Sequence, residues 1–286
     1  MSFTLASRSI ASRLFQNFAP TSLVALRTLS PKQKNWHLNL PPQRYCSSTP
    51  PANPLQKPTN PPNQFPLTES RSGDIWEADQ IEIWRLADGY RVWGFPIYRS
   101  TYQSDAEWDE FMRRLVADTT ESLCPDLFDN MALTVFDDPT KFDGATTAVI
   151  RDHFKQWVVT AEQEERSPEF DPERIKIDVY GAQRYRYCIQ VTQEMLESVI
   201  ADEGEAMAIV RIIRGDWEEY SPYKDDFRFE EEREAIEGCT LEDVGWINVP
   251  FDGVMTICWG DLRGDWDGEY RRPPSISCHP WFDVDN

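Results

Sequence analysis

The strongest hydrophobic pattern in the chain follows Ser104, where apolar residues recur at helical spacing. Ser104 and Glu107 form an S-x-x-E capping box, whose side chains satisfy backbone N–H groups that the first helical turn leaves unpaired. The apolar positions i, i+3, i+4, i+7 and i+8 are occupied by Trp108, Phe111, Met112, Leu115 and Val116. Charged residues occupy the opposite face, so the pattern predicts a helix with one buried side.

The segment before this helix predicts a β-hairpin. Asp88-Gly89 lies between Ile81–Trp84 and Tyr90–Trp93, two runs rich in β-branched and aromatic residues. Such a dipeptide between two such runs is typical of a type I′ turn. We therefore expect the fold to open with two antiparallel strands.

Further elements are predicted along the rest of the chain. Strands are expected at 131–136, 184–191, 206–213, 246–249 and 269–272, and helices from about 147, 192 and 253. This order predicts an α+β domain with a mixed, largely antiparallel sheet and helices packed on one face. A ferredoxin-like arrangement is the first candidate for its topology.

Composition divides the 286 residues into three parts. Residues 1–40 are rich in Ser and Arg, lack acids and place apolar residues along one helical face, which predicts a mitochondrial transit peptide. A basic tail without a targeting role, in a cytoplasmic protein, is the alternative. Nine of the 26 residues from Pro41 to Pro66 are proline, so 41–74 is predicted to be a disordered linker. Residues 75–286 are expected to form one domain, with an acidic surface loop near 221–238.

Charge restricts the partners that this domain can bind. Residues 1–68 hold seven basic and no acidic residues, whereas the remainder carries a net charge of −27. So acidic a surface repels phosphate backbones, which excludes nucleic acid as an expected partner. No stretch approaches the apolar length of a membrane span, so no transmembrane segment is expected. The six cysteines are far apart, without a C-x-x-C pair, and are expected to be free thiols.

The predicted domain contains six short motifs, which are Gly89-Tyr90, Ile97–Tyr102, Arg184–Ile189, Glu237–Thr240, Asp243–Trp246 and Tyr270–Pro274. In this order they resemble the motifs of an uncharacterised protein family found in filamentous fungi. The resemblance spans about residues 80 to 276, after the proline-rich segment. It implies relatives but no activity, ligand or catalytic residue, because none is known for that family.

Candidate chemistry centres on histidine and arginine. His153 flanks the apolar stripe of the helix predicted from about 147, where it is either a half-buried edge residue or a general base. As a base it would act with Arg99 or Arg186, which would hold an anionic substrate. The alternative places Arg99, Arg184 and Arg186 on the exposed face of the sheet, opposite acidic neighbours.

The remaining motifs predict no metal and no cofactor. Cys278-His279 has no second ligand pair near it in the sequence, and adjacent side chains on a strand point apart. The segment from Arg263 to Pro274 lacks the first and last carboxylates of a calcium loop, so it is interpreted as a turn.

The function remains unknown from the sequence, although two classes of protein fit it. A non-catalytic binding or accessory protein is favoured, because packing signals are plentiful and no catalytic motif is found. Its partner would be an unknown protein or a small molecule. The alternative is a cofactor-independent enzyme of the isomerase, hydrolase or lyase type.

Overall fold

The computed structural model describes residues 76–121, 125–168, 182–201, 207–219, 233–264 and 266–278. The predicted transit peptide, the predicted linker, most of the predicted acidic loop and His279 lie outside these ranges. None of the helices in these ranges has the length and apolar character needed to cross a membrane.

The described residues form helices and strands in an alternating order, with a short 3-10 turn at Gln183–Tyr185. The helices are α1 Trp76–Asp88, α2 Asp105–Glu121, α3 Pro125–Phe128, α4 Pro139–Phe142, α5 Thr147–Glu164, α6 Gln193–Ile200, α7 Ile257–Asp261 and α8 Trp266–Glu269. The strands are β1 Ile97–Arg99, β2 Val135–Phe136, β3 Tyr187–Val191, β4 Ile209–Arg214 and β5 Trp246–Pro250.

The five strands form one mixed sheet in the order β2-β1-β3-β4-β5. β1 runs parallel to both β2 and β3, whereas the β3–β4 and β4–β5 pairs are antiparallel. The predicted α+β class and mixed sheet are therefore confirmed. The two parallel pairs distinguish this sheet from the antiparallel ferredoxin-like arrangement.

Helices cover both faces of the sheet, which is one face more than the sequence predicted. Side chains alternate along a strand, so Ile189 of β3 lies in one hydrophobic core and Cys188 lies in the other. The first core is closed by α1, α2, α6 and α7, and the second by α4 and α5. Gln190, the polar residue of β3, is buried on the second face and donates to the Ala145 carbonyl at 2.8 Å.

The predicted opening hairpin is wrong, because residues 76–88 form α1. Gly89 has a φ of +75°, and its N–H donates to the Leu86 carbonyl while the Tyr90 N–H donates to the Arg85 carbonyl. These two hydrogen bonds define a Schellman motif, in which glycine ends a helix. Asp-Gly therefore marks a helix end here, since the positive φ of glycine suits a helix C-terminus as well as a type I′ turn.

Most of the other predicted elements are present, with shifted boundaries. α2 begins beyond Ser104, whose Oγ accepts from the Glu107 N–H at 3.2 Å, and the predicted apolar face is buried. The predicted strand at 131–136 is shortened to β2. The predicted helix from about 253 is shortened to α7. The predicted strand at 269–272 is wrong, because Glu269 is the last residue of α8. Trp266, the first residue of that helix, stacks on the ring of Tyr187.

Candidate functional site

A groove of about 1000 Å³ lies against β4 and β5. One wall is formed by α6 and the residues that lead into β4, and the other by segments 233–242 and 272–274. Its apolar lining consists mainly of Met195, Met207, Ile209, Ile236, Trp246 and Pro273. Polar and charged residues make up the other half of the lining, and a concave site of this size is typical of ligand binding.

Arg211 and Asn248 lie side by side in the lining of the groove, because they are direct partners in the antiparallel pairing of β4 and β5. Side chains at such opposite positions project from the same face with Cβ atoms about 5 Å apart. The Arg211 guanidinium also stacks on Trp246, with its Cζ atom 3.8 Å from the ring centroid. The strand register therefore produces a pair of polar side chains on an apolar surface.

The guanidinium of Arg211 is hydrogen bonded through Nη1, whereas its Nε has no partner among the described residues. Its Nη1 donates to Gln190 Oε1 and to Glu237 Oε1, each at 3.1 Å. Burial lowers the pKa of its guanidinium, although Glu237 acts in the opposite direction. Its Nε is buried and finds no hydrogen-bond partner among the described residues. A buried N–H donor is therefore left without an acceptor.

Asn248 is only 7% exposed, yet few contacts hold its carboxamide. Nδ2 donates to the Pro274 carbonyl at 3.5 Å, which is long for a hydrogen bond. Oδ1 is buried and has no donor within the described part of the chain. Beside the unpaired donor of Arg211 there is thus an unpaired acceptor, and each such group costs about 1–3 kcal/mol when it is left unsatisfied.

Charged residues around the groove largely neutralise one another. Arg233 forms an ion pair with Glu242 at 2.6 Å. Arg272 donates to three backbone carbonyls, those of Leu241, Glu242 and Glu234. Because these arginines are already engaged, the lining that the described residues form has no concentration of free positive charge that would select an anion.

His153, the predicted general base, belongs to an aromatic cluster on α5. Its Nδ1 lies 2.9 Å from the Tyr98 hydroxyl, and its ring packs against Phe136 and Phe142 at centroid distances of 4.9 and 5.0 Å. Burial lowers the pKa of His153, and Lys141 lowers it further. His153 does not line the groove.

Arg99 and Arg184 are buried, and neither lies on the exposed sheet face that the sequence favoured. Arg99 contacts Asp105 at 2.6 Å and lies on the opposite face of β1 from Tyr98, the partner of His153. Arg184 forms two hydrogen bonds with Glu165, at 2.7 and 2.8 Å. Their acidic neighbours are thus present, but only the two arginines lie inside the fold, since Asp105 is exposed and Glu165 is partly exposed.

Arg186 lies apart from both, at a smaller pocket of about 240 Å³. Its guanidinium lies 5.0 Å from the Tyr187 ring centroid. The other polar groups of this pocket bind one another, since the Tyr90 hydroxyl donates to Glu162 at 2.7 Å and accepts from Arg166 at 2.9 Å. The structure therefore does not assemble His153, Arg99 and Arg186 into one site.

Metal-ligating side chains meet elsewhere, between α7, α8 and the C-terminal segment. The ligand atoms of Asp261, Glu269 and Cys278 all lie within 4.8 Å of one another, and Cys258 is hydrogen bonded to Cys278. Sequence spacing could not reveal this group, because its members come from three separate segments. The Arg211 and Asn248 pair escaped detection for a similar reason, since it depends on the register of β4 and β5.

Comparison with known proteins adds no relative to this description. No family model, no curated protein and no solved structure matches the chain. The function must therefore be argued from the geometry of the groove.

Proposed function

We propose that this protein is a non-catalytic binding protein whose groove takes an extended, uncharged peptide segment of a partner protein. The observation that carries the proposal is the pair of unsatisfied groups on Arg211 and Asn248. A peptide unit offers one carbonyl acceptor and one N–H donor, which are the partners that Arg211 Nε and Asn248 Oδ1 lack.

Arg211 Nε and Asn248 Oδ1 are buried, so both side chains must turn toward the groove before a peptide can reach them. The last torsion of an asparagine side chain is soft, and the long Nδ2 contact to Pro274 offers little resistance to rotation. For Arg211, the Nη1 contacts with Gln190 and Glu237 would have to adjust for Nε to face the groove. Peptide binding would thus satisfy two buried polar groups at once.

The rest of the lining supports an apolar, uncharged segment. The two methionines, Met195 and Met207, offer flexible and polarisable surface that adapts to different side chains. Trp246, Pro273 and Pro274 offer rigid apolar surface. Since the arginines of the wall are engaged by Glu242 and by backbone carbonyls, an acidic peptide would gain little.

Peptides selected from a random display library test this proposal. We expect enrichment of uncharged, mainly apolar sequences on the full-length chain. Asn248→Leu, which keeps the branched arrangement of side-chain heavy atoms but removes the acceptor, should weaken their binding by roughly tenfold or more. Val159→Ala changes an exposed apolar residue on α5 and serves as the matched control. Equal binding to both variants, or enrichment of acidic peptides only, would contradict the proposal.

The enzyme alternative from the sequence depends on His153 acting with Arg99 or Arg186. Substrate turnover that is lost in His153→Gln while the fold is retained would support it. The groove offers no comparable role for His153, so peptide binding is the function that we favour.

We also propose that residues 1–40 direct the protein to mitochondria, on the basis of their basic, acid-free composition. A C-terminal fluorescent fusion of the full-length chain should enter mitochondria, and a fusion that starts at Ile75 should not. Cytosolic fluorescence from both would reject the targeting role. The fungal family likewise remains the relative that we propose from the motifs.

A further inference from the structure

Three side chains with metal-binding atoms meet between α7, α8 and the C-terminal segment, and a fourth, Cys258, is hydrogen bonded to one of them. Cys258 and Asp261 are three residues apart on α7 and so lie on one side of that helix. Glu269 is the last residue of α8. Cys278 follows from the C-terminal segment, and its ligand atom lies within 4.8 Å of those of Asp261 and Glu269.

Two buried thiols accompany the two carboxylates. Cys258 is 1% exposed and Cys278 is 5% exposed. Hydrogen bonding to Cys278 and burial raise the pKa of the Cys258 thiol. The two sulfur atoms therefore lie close together inside the protein, with the carboxylates of Asp261 and Glu269 beside Cys278.

Asp261 and Glu269 place two carboxyl groups close together. Asp261 is partly buried and forms no ion pair among the described residues. A second carboxylate, from Glu269, lies within 4.8 Å. Two nearby like charges repel each other, and a bound cation would remove that repulsion.

The donor atoms indicate which cation fits. Calcium and magnesium prefer sites made of oxygen ligands, whereas thiolates favour softer metals. Zinc accepts sulfur and carboxylate oxygen together, with four ligands in a tetrahedron. Asp261, Glu269 and Cys278 supply two carboxylates and one sulfur within 4.8 Å of one another, and Cys258, which is hydrogen bonded to Cys278, would supply the second sulfur by turning toward them.

We propose that Cys258, Asp261, Glu269 and Cys278 form a structural zinc site. Zinc would deprotonate both thiols and would fasten the C-terminal segment to α7 and α8. That segment also borders the sheet, because the Ser277 N–H donates to the Asn248 carbonyl at 2.8 Å. The site is separate from the peptide groove and does not depend on the proposed function.

Cobalt(II) titration of the full-length chain, reduced and stripped of metal by a chelator, tests the site. Cobalt is a spectroscopic substitute for zinc, and its thiolate ligands give a charge-transfer band in the near ultraviolet. We expect this band to saturate at one cobalt per chain, to disappear when zinc is added, and to be accompanied by a higher thermal unfolding temperature.

Variants separate a zinc site from an unrelated metal effect. Cys278→Ser should abolish the band, and Glu269→Gln should weaken cobalt binding by roughly tenfold or more. Cys239→Ser removes another buried free thiol and should bind cobalt like the wild type. Asp261→Asn provides a second test if Cys278→Ser does not fold, and it should also weaken binding.

Two results would overturn the proposal. The first is a reduced wild type that gives no saturable band, or a folded Cys278→Ser that keeps it. The second is a Cys258–Cys278 disulfide, found by peptide mass spectrometry in protein purified without reductant, in a chain that binds no cobalt after reduction. The same two thiols would then form a redox pair rather than a metal site.

Discussion

Glu237 is joined to Arg211, since Arg211 Nη1 donates to Glu237 Oε1 at 3.1 Å. The other oxygen of Glu237 accepts from the backbone N–H and the hydroxyl of Thr147, at 3.1 and 2.6 Å. These bonds cap the start of α5, where the side chain of Thr146 forms no cap. One carboxylate thus links the groove to the helix on the second face of the sheet.

We predict that Glu237→Ala lowers the free energy of unfolding by about 1–2 kcal/mol, as the loss of a helix cap does. Urea unfolding of the full-length chain measures this change. Glu218→Ala removes an exposed acid and should stay within about 0.5 kcal/mol of the wild type. Equal stability of the two variants would show that Glu237 does not act as a cap.

Asp88 and Arg263 form a buried ion pair with two contacts, at 2.6 and 2.8 Å. Asp88→Asn should lower the free energy of unfolding by about 3–5 kcal/mol, because it leaves the guanidinium buried beside a neutral group. Arg113→Ala, which removes an exposed pair with Glu110, should cost less than about 1 kcal/mol. Similar losses in the two variants would contradict the role given to burial.

Alanine substitutions at Gly245 and Gly144 distinguish the cost of steric crowding from the cost of backbone strain. Both have positive φ, +76° and +63°, so alanine at either position should cost about 1 kcal/mol. At Gly245 an added Cβ would lie 2.4 Å from the Trp217 side chain, whereas at Gly144 nothing lies within 4 Å. We expect Gly245→Ala to lose about 1–3 kcal/mol more than Gly144→Ala. Equal losses would contradict the packing described around Trp217.

His153 should make stability depend on pH. Burial and Lys141 lower its pKa below the unfolded value of about 6.5, and Asp138 opposes them. The unfolded chain therefore takes up this proton first, so its contribution to stability declines as the pH falls below about 6.5. Between about pH 7.5 and 5.5, the wild type should lose more stability than His153→Gln. Parallel pH profiles would contradict the depressed pKa.

The local part of the fold could be predicted from the sequence. Ser104 and the apolar repeat after it define α2 through contacts within a few residues. Asp88-Gly89 led to the wrong prediction of a hairpin, because the same dipeptide occurs in hairpin turns and at helix ends. Only the packing of this segment against α7 selects helix α1. The prediction of helices on one face only was wrong as well, because β3 is buried on both faces and includes the polar Gln190.

The candidate sites could not be predicted from the sequence, because they depend on contacts between residues that are distant along the chain. Arg211 and Asn248 meet only once β4 and β5 pair in one register. Cys278 is adjacent in sequence to none of Cys258, Asp261 and Glu269, so no spacing motif joins them. His153 was a candidate general base because imidazole can accept a proton near neutral pH. Its described contacts are aromatic rings and one tyrosine hydroxyl.

The most direct test of the groove is a nuclear magnetic resonance titration of the ¹⁵N-labelled full-length chain with N-methylacetamide, which is a single peptide unit. The Nε–H signal of Arg211 and the Nδ2 signals of Asn248 report on the two unsatisfied side chains. The exposed Arg113, already paired with Glu110, provides the control signal. We predict saturable shifts at Arg211 and Asn248, with a dissociation constant on the order of millimolar for so small a ligand. If these signals move no more than that of Arg113, the groove does not recognise a peptide unit and the account of its function is wrong.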